Sequence, residues 1–160
     1  MRKRRQLKEG ATYHVSSKIN WEVHRFNPDE IKELFLEIIK RAKKKYKFSI
    51  KNFVIMGNHF HLMIKPGEKT SLSRVMQWIK SVFAMTYNKM HKLKGHLFAG
   101  RFWSKIIEHG RQFLDTFNYI SLNPVKAMLS ETAESYKYGG LYHIKNKRFD
   151  IVDKPDFDLF

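Results

Sequence analysis

The stretch "FSIKNFVIMGNHFHLMIKP", residues 48–66, reads as two strands either side of Gly57-Asn58, a two-residue signature of a tight hairpin. Side chains alternate along a strand, so His59, His61, Met63 and Lys65 share one face, and Phe60, Leu62 and Ile64 share the other. If Gly57-Asn58 is the whole loop, Met56 pairs with His59, Ile55 with Phe60, Val54 with His61 and Phe53 with Leu62. The apolar set then faces a core, and both histidines look away from it. Two neutral imidazoles at i and i+2 on a strand can chelate one divalent ion and leave positions for a third ligand and a substrate.

Outward from this hairpin, "TYHVSSKI" (12–19) has the β-branched and aromatic content of a strand. A first helix starts at "NPDE", with Asn27 as N-cap and Pro28 at the first helical position, and buries Ile31, Leu34, Phe35, Ile38 and Ile39. It ends in "KRAKKKYK" (40–47), which suits either a helix C-terminus or a phosphate-contacting patch. A second helix fits 71–95, capped by Ser71 and stopped by Gly95, with Leu72, Val75, Met76, Ile79, Phe83, Tyr87 and Met90 as its stripe. Another strand lies around 102–108. A third helix covers roughly 111–123, ended by Pro124. Strand, helix, strand, strand, helix, strand, helix is the order of an α+β fold: an antiparallel sheet with helices on one side, ferredoxin-like or RRM-like.

The third helix faces two ways. At about 100° per residue, Phe113, Leu114, Phe117 and Ile120 fall on one side, and Gln112, Asp115, Tyr119 and Asn123 fall within roughly 40° of Tyr119 on the other. Tyr119 and Asn123, at i and i+4, can present a nucleophile and an oxygen ligand to the same metal. Phenols ionise near pH 10, so such a nucleophile needs its proton removed or its charge stabilised.

Composition narrows the partners. The 160 residues fit one domain with tails: a basic arm (1–10), a body (11–145) and an acidic, aromatic tail (146–160). Thirty-one Lys and Arg against fifteen Asp and Glu give a formal charge of +16, which points to nucleic acid before membrane or acidic protein. A merely basic, ribosomal-type protein is the rival reading of charge alone. The absence of cysteine removes disulfides, thiolate zinc sites and cysteine nucleophiles. No apolar run approaches the roughly 20 residues that span a bilayer, so a cytoplasmic, nucleoid-associated protein is expected.

Four segments, "YHVSSKIN", "MGNHFHLMIKP", "GHLFAGRFWSKIIE" and "FNYISLNPVKAMLS", together resemble the single-tyrosine HUH transposases, most closely the REP-associated tyrosine transposases of bacteria. In order and spacing the resemblance covers roughly residues 10–140. It implies an HUH nuclease fold in which the tyrosine attacks a phosphodiester of single-stranded DNA, forming a 5'-phosphotyrosine link and releasing a 3'-hydroxyl. On matching positions Tyr119 is the nucleophile, His59 and His61 bind Mg²⁺ or Mn²⁺, and Asn123 is the third ligand. The implied substrates are hairpin-forming, REP-like palindromic elements. Gly57 stands where the family often has proline, Ser121 where histidine is common, and Met128 where glycine is usual.

The arm residues Arg2, Lys3, Arg4 and Arg5 are candidates for reaching a groove. Arg101 and Lys105 are candidates for holding phosphates, and Trp103 or Tyr13 for stacking on an unpaired base. The tail "FDIVDKPDFDLF" alternates Asp150, Asp153, Asp156 and Asp158 with Phe149, Phe157 and Phe160, a pattern able to lie in a DNA groove and weaken binding. A monomer and a homodimer, with the tyrosine serving its own or a partner's histidines, both fit. So does a different class, a hairpin nucleic-acid-binding protein that does not cut. A phosphoesterase with paired histidine motifs ranks last, because no second such motif occurs at comparable spacing.

Overall fold

The β-branched and aromatic runs pair into one four-stranded antiparallel sheet in the computed structural model, which describes residues 4–20 and 26–157. The elements are β1 (Thr12–Lys18), α1 (Asp29–Lys45), β2 (Phe48–Ile55), β3 (His59–Pro66), α2 (Leu72–His91), β4 (Trp103–Ile107), α3 (Gly110–Lys126), a 3₁₀ turn (Ala133–Ser135) and α4 (Gly140–Lys145). The strand order β2-β3-β1-β4 is the ferredoxin-like order that the alternation of elements predicts.

The hairpin has the expected register. Phe53 faces Leu62, Val54 faces His61 and Ile55 faces Phe60, and Met56 N donates to His59 O at 2.8 Å. Phe60, Leu62, Ile64 and Val15 are fully buried beneath α1 and α2. Phe60 lies 4.7 Å from Phe35 of α1, and Phe83 of α2 closes the cluster at 5.1 Å from Phe35. Each such side chain contributes about 1.5–3 kcal/mol by leaving water. The α+β class holds, but α3 does not join α1 and α2 on this side. Helix α3 crosses the opposite face over β2, where Asn52 Nδ2 donates to Phe117 O at 3.0 Å.

A shift in pairing between Ile50 and Asn52 leaves Lys51 as the extra residue of a bulge. It keeps Asn52 on the histidine face, opposite Met63. Gly140 packs directly on Asn52: a Cβ there would collide with Asn52 Oδ1 and come 3.1 Å from Phe53 N.

Helix ends depart from the expected positions by a residue or a turn. Pro28 occupies the N-cap of α1 in place of Asn27, and its carbonyl accepts from Ile31 N at 3.0 Å. Ser71 caps α2 as expected, accepting from Arg74 N, but the helix stops at Lys92 in the left-handed region (φ 53°), three residues before Gly95. Met90 is exposed, one turn beyond the buried part of the stripe.

Pro124 does not end α3; the helix runs through it to Lys126, because the buried ring packs in the last turn. That turn closes with Met128 N donating to Val125 O at 3.0 Å and Leu129 N to Pro124 O at 2.8 Å, the two bonds of a Schellman motif. Met128 sits at φ 59°, where glycine carries no Cβ penalty, and is 91% exposed. Met128→Gly is therefore expected to stabilise the fold by about 0.5–1 kcal/mol, read as a higher urea midpoint.

The described part of the tail docks on the outer edge of β2. Asp153 binds that edge through its backbone and its carboxylate: Asp153 N donates to Ile50 O at 2.8 Å, and Ile50 N donates to Asp153 Oδ2 at 2.6 Å. Lys43 and Lys40 of α1 pair with Asp153 at 3.1 Å and Asp150 at 2.7 Å, while Ile151 and Val152 enter the core. Phe157 meets Phe113 and Phe117 at 6.4 and 6.3 Å. These aspartates thus answer α1 lysines instead of imitating phosphates in a groove. Asp158 and Phe160 lie outside the described residues.

Candidate active site

Sheet register assembles the site from three strands. His61 of β3 lies in one row with Ser16 of β1 and Trp103 of β4, and His14 of β1 lies in the next row with Met63 and Lys105. His59 and His61 stand with ring centroids 5.1 Å apart, as an i, i+2 pair on one face predicts. His59 Nδ1 meets Asn58 Oδ1 at 2.7 Å, and His61 Nδ1 meets His14 Nε2 at 2.9 Å.

Helix α3 brings the phenol to them. The Tyr119 ring is 5.6 Å from His61 and 5.9 Å from His14, and Lys126 Nζ lies 5.7 Å from its centroid. Tyr119 of this chain therefore stands beside its own His61 and His14. The clamp is Asn52, fully buried, which also donates to Ser121 Oγ at 2.9 Å and accepts from Phe53 N at 2.9 Å. Serine at 121 fits beneath this amide and passes a further bond to Phe117 O at 2.8 Å. Leu114, expected in the core, is exposed because only the Phe117–Ile120 side of α3 reaches the sheet.

Asn123 follows Tyr119 by one turn and is half-buried; its carbonyl accepts from Ala127 N at 3.0 Å. No group of three or more His, Cys, Asp or Glu among the described residues is placed to hold a metal ion. The candidate donors that stand together are the two imidazoles of His59 and His61, nitrogen ligands that suit a divalent transition ion better than magnesium.

Burial pushes His61 down to about 3, with His14, His59 and Lys18 adding repulsion. Burial likewise lowers His14 to about 4, helped by Lys105. Both rings are thus neutral at pH 7, so neither repels a cation. Because the folded values lie below the unfolded value near 6.5, the unfolded chain binds more protons between them, and stability falls as pH drops below 6.5. In EDTA at fixed ionic strength the pair is expected to cost of order 2–4 kcal/mol between pH 7.5 and 5. Thermal melts across that range check it; a flat profile would contradict the burial.

Candidate DNA contacts separate into two groups. Arg4, Arg5, Arg101, Trp103 and Lys105 line one cavity of about 660 Å³ along β4. Trp103 is 50% exposed and meets His14 edge-on at 5.0 Å, next to the histidine site. Arg5 is already engaged: its Nη2 donates to Phe102 O at 2.8 Å, and its guanidinium lies 3.5 Å from the Phe102 ring centroid. Tyr13 is buried, its hydroxyl accepting from Lys8 N and donating to Lys8 O, so it is not placed to stack on a base. Arg2 and Lys3 lie outside the described residues. The reading from sequence missed His14; alternation places it with Thr12 and Ser16, but its contact with His61 needs the long-range β1–β3 register.

The family described as Transposase IS200 like matches residues 8–123, and the chain belongs to that family. The fold is similar to that of a REP-associated tyrosine transposase bound to a REP hairpin, with a TM-score of 0.79 at 17% identity over 99% of this chain and 94% of that one. It is also similar to a putative transposase from Deinococcus radiodurans R1, with a TM-score of 0.51 at 15% identity over 74% of this chain and 95% of that one. No curated protein matches the chain. Among the described residues no helix is long and apolar enough to cross a membrane.

Proposed function

We propose that the protein is a divalent-cation-dependent transposase that cleaves and rejoins single-stranded DNA at hairpin-forming, REP-like elements through a phosphotyrosine at Tyr119. The observation that carries this reading is the Tyr119 ring 5.6 Å from His61 on the same sheet face. The Tyr119 oxygen forms a bond to the scissile phosphorus, the bond from phosphorus to the 3'-oxygen breaks, and the phenolic proton leaves to solvent as the 3'-oxygen gains one. The DNA downstream stays joined to Tyr119 through its 5'-phosphate, and the freed 3'-hydroxyl can reverse the step.

His59 and His61 would hold Mn²⁺ or Mg²⁺ with the Asn123 amide oxygen as third ligand. When bound, the cation polarises the phosphate and offsets its growing charge. Arg4, Arg101 and Lys105 contact phosphates along β4, with Trp103 offering a stacking surface. The catalytic unit spans 11–145, flanked by the basic arm 1–10 and the tail 146–160.

The test is a hairpin oligonucleotide with a single-stranded flank, labelled at its 3' end and incubated with protein and Mn²⁺. A labelled band at the mass of a protein-DNA adduct in a denaturing gel, lost in EDTA, is expected. Retardation in a native gel with no adduct from any repeat-derived hairpin would instead make this a binding module on the same fold.

A further inference from the structure

The two paired histidines are held through the same ring atom by different acceptors. His59 Nδ1 faces an amide oxygen, Asn58 Oδ1, which can only accept, so the His59 proton sits on Nδ1 and its lone pair on Nε2. His61 Nδ1 faces a second imidazole nitrogen, His14 Nε2, at 2.9 Å, and a single proton lies between them. If His14 supplies it, His61 carries its own single proton on Nε2 and has no lone pair left for a cation. If His61 supplies it, His61 keeps the lone pair on Nε2, as His59 does.

We propose that His14 is a positioning residue for His61: its Nε2 accepts the His61 Nδ1 proton, which fixes the His61 ring and leaves Nε2 as the ligating atom. This rests on the metal reading of the paired histidines. The geometry supports it from three sides. His61 is 7% exposed, so water does not compete freely for its Nδ1. The β1–β3 register sets the His14 row beside the His61 row. Trp103 braces His14 edge-on at 5.0 Å, so the acceptor is itself held. An outer acceptor that orients a ligating histidine is worth roughly 10–100-fold in metal affinity.

The experiment uses the full chain at pH 7.5 and reads two quantities. Imidazole ¹⁵N shifts in the metal-free protein report which His61 nitrogen is protonated, and Mn²⁺ titration followed by electron paramagnetic resonance reports affinity. His14→Phe keeps a ring against Trp103 but removes the acceptor; His14→Gln offers an amide oxygen to accept the same proton. Wild type is expected to show His61 protonated on Nδ1. His14→Phe should move that proton to Nε2 and weaken Mn²⁺ roughly 10–100-fold, and His14→Gln should restore most of both. Melting curves and the glutamine variant separate loss of fold from loss of the acceptor. An unchanged His61 proton position, or unchanged Mn²⁺ affinity, in folded His14→Phe would overturn the role of His14. No Mn²⁺ binding by the wild type would overturn the metal reading itself, while the metal-free spectra would still decide what His14 does to His61.

Discussion

Tyr119→Phe is expected to abolish the covalent protein-DNA adduct and lower strand cleavage by about 10³-fold or more, because the attacking oxygen is the only atom removed. Hairpin binding should change little, since Arg101, Lys105 and Trp103 are untouched. Stability should also hold: the ring is 45% exposed and anchored by contacts with His61 and His14 that phenylalanine keeps. Cleavage and binding assays run side by side check this. An adduct that persists in Tyr119→Phe would move the nucleophile to another residue.

Asn52→Ala is expected to cost about 3 kcal/mol, a fall in melting temperature of about 6–12 °C for a chain of this size. Its amide makes three buried bonds, two of them to α3, so its loss leaves Phe53 N–H unsatisfied and opens a small void. The effect should reach the site as well. With α3 no longer pinned at Phe117 and Ser121, Tyr119 samples more positions and cleavage falls further than DNA affinity. Equal losses in both would place the effect in general unfolding instead.

How much of this was legible in the sequence depended on how local each signal was. The β2–β3 register next to the turn, from Phe53 to Leu62, followed from Gly57-Asn58 and side-chain alternation, both contained within nineteen residues. The outward position of Tyr119 followed from helical periodicity. Pro124 was misplaced as a terminator because the rule for residues before proline is a local preference, and burial in the last turn overrode it. His14 could not be found, since its role depends on a partner 47 residues away, across a strand pairing that periodicity does not fix. The placement of α3 on the face opposite α1 and α2 escaped for a related reason. Asn52 reads as an ordinary polar residue in β2 until the Lys51 bulge and the helix above it are known.

The most direct measurement is peptide mapping of the adduct formed with Mn²⁺ and a hairpin oligonucleotide. After nuclease and protease digestion, tandem mass spectrometry is predicted to find a nucleotide joined by its 5'-phosphate to the phenol of Tyr119. Attachment to any other side chain, or through a 3'-phosphate, would contradict the chemistry assigned to this site.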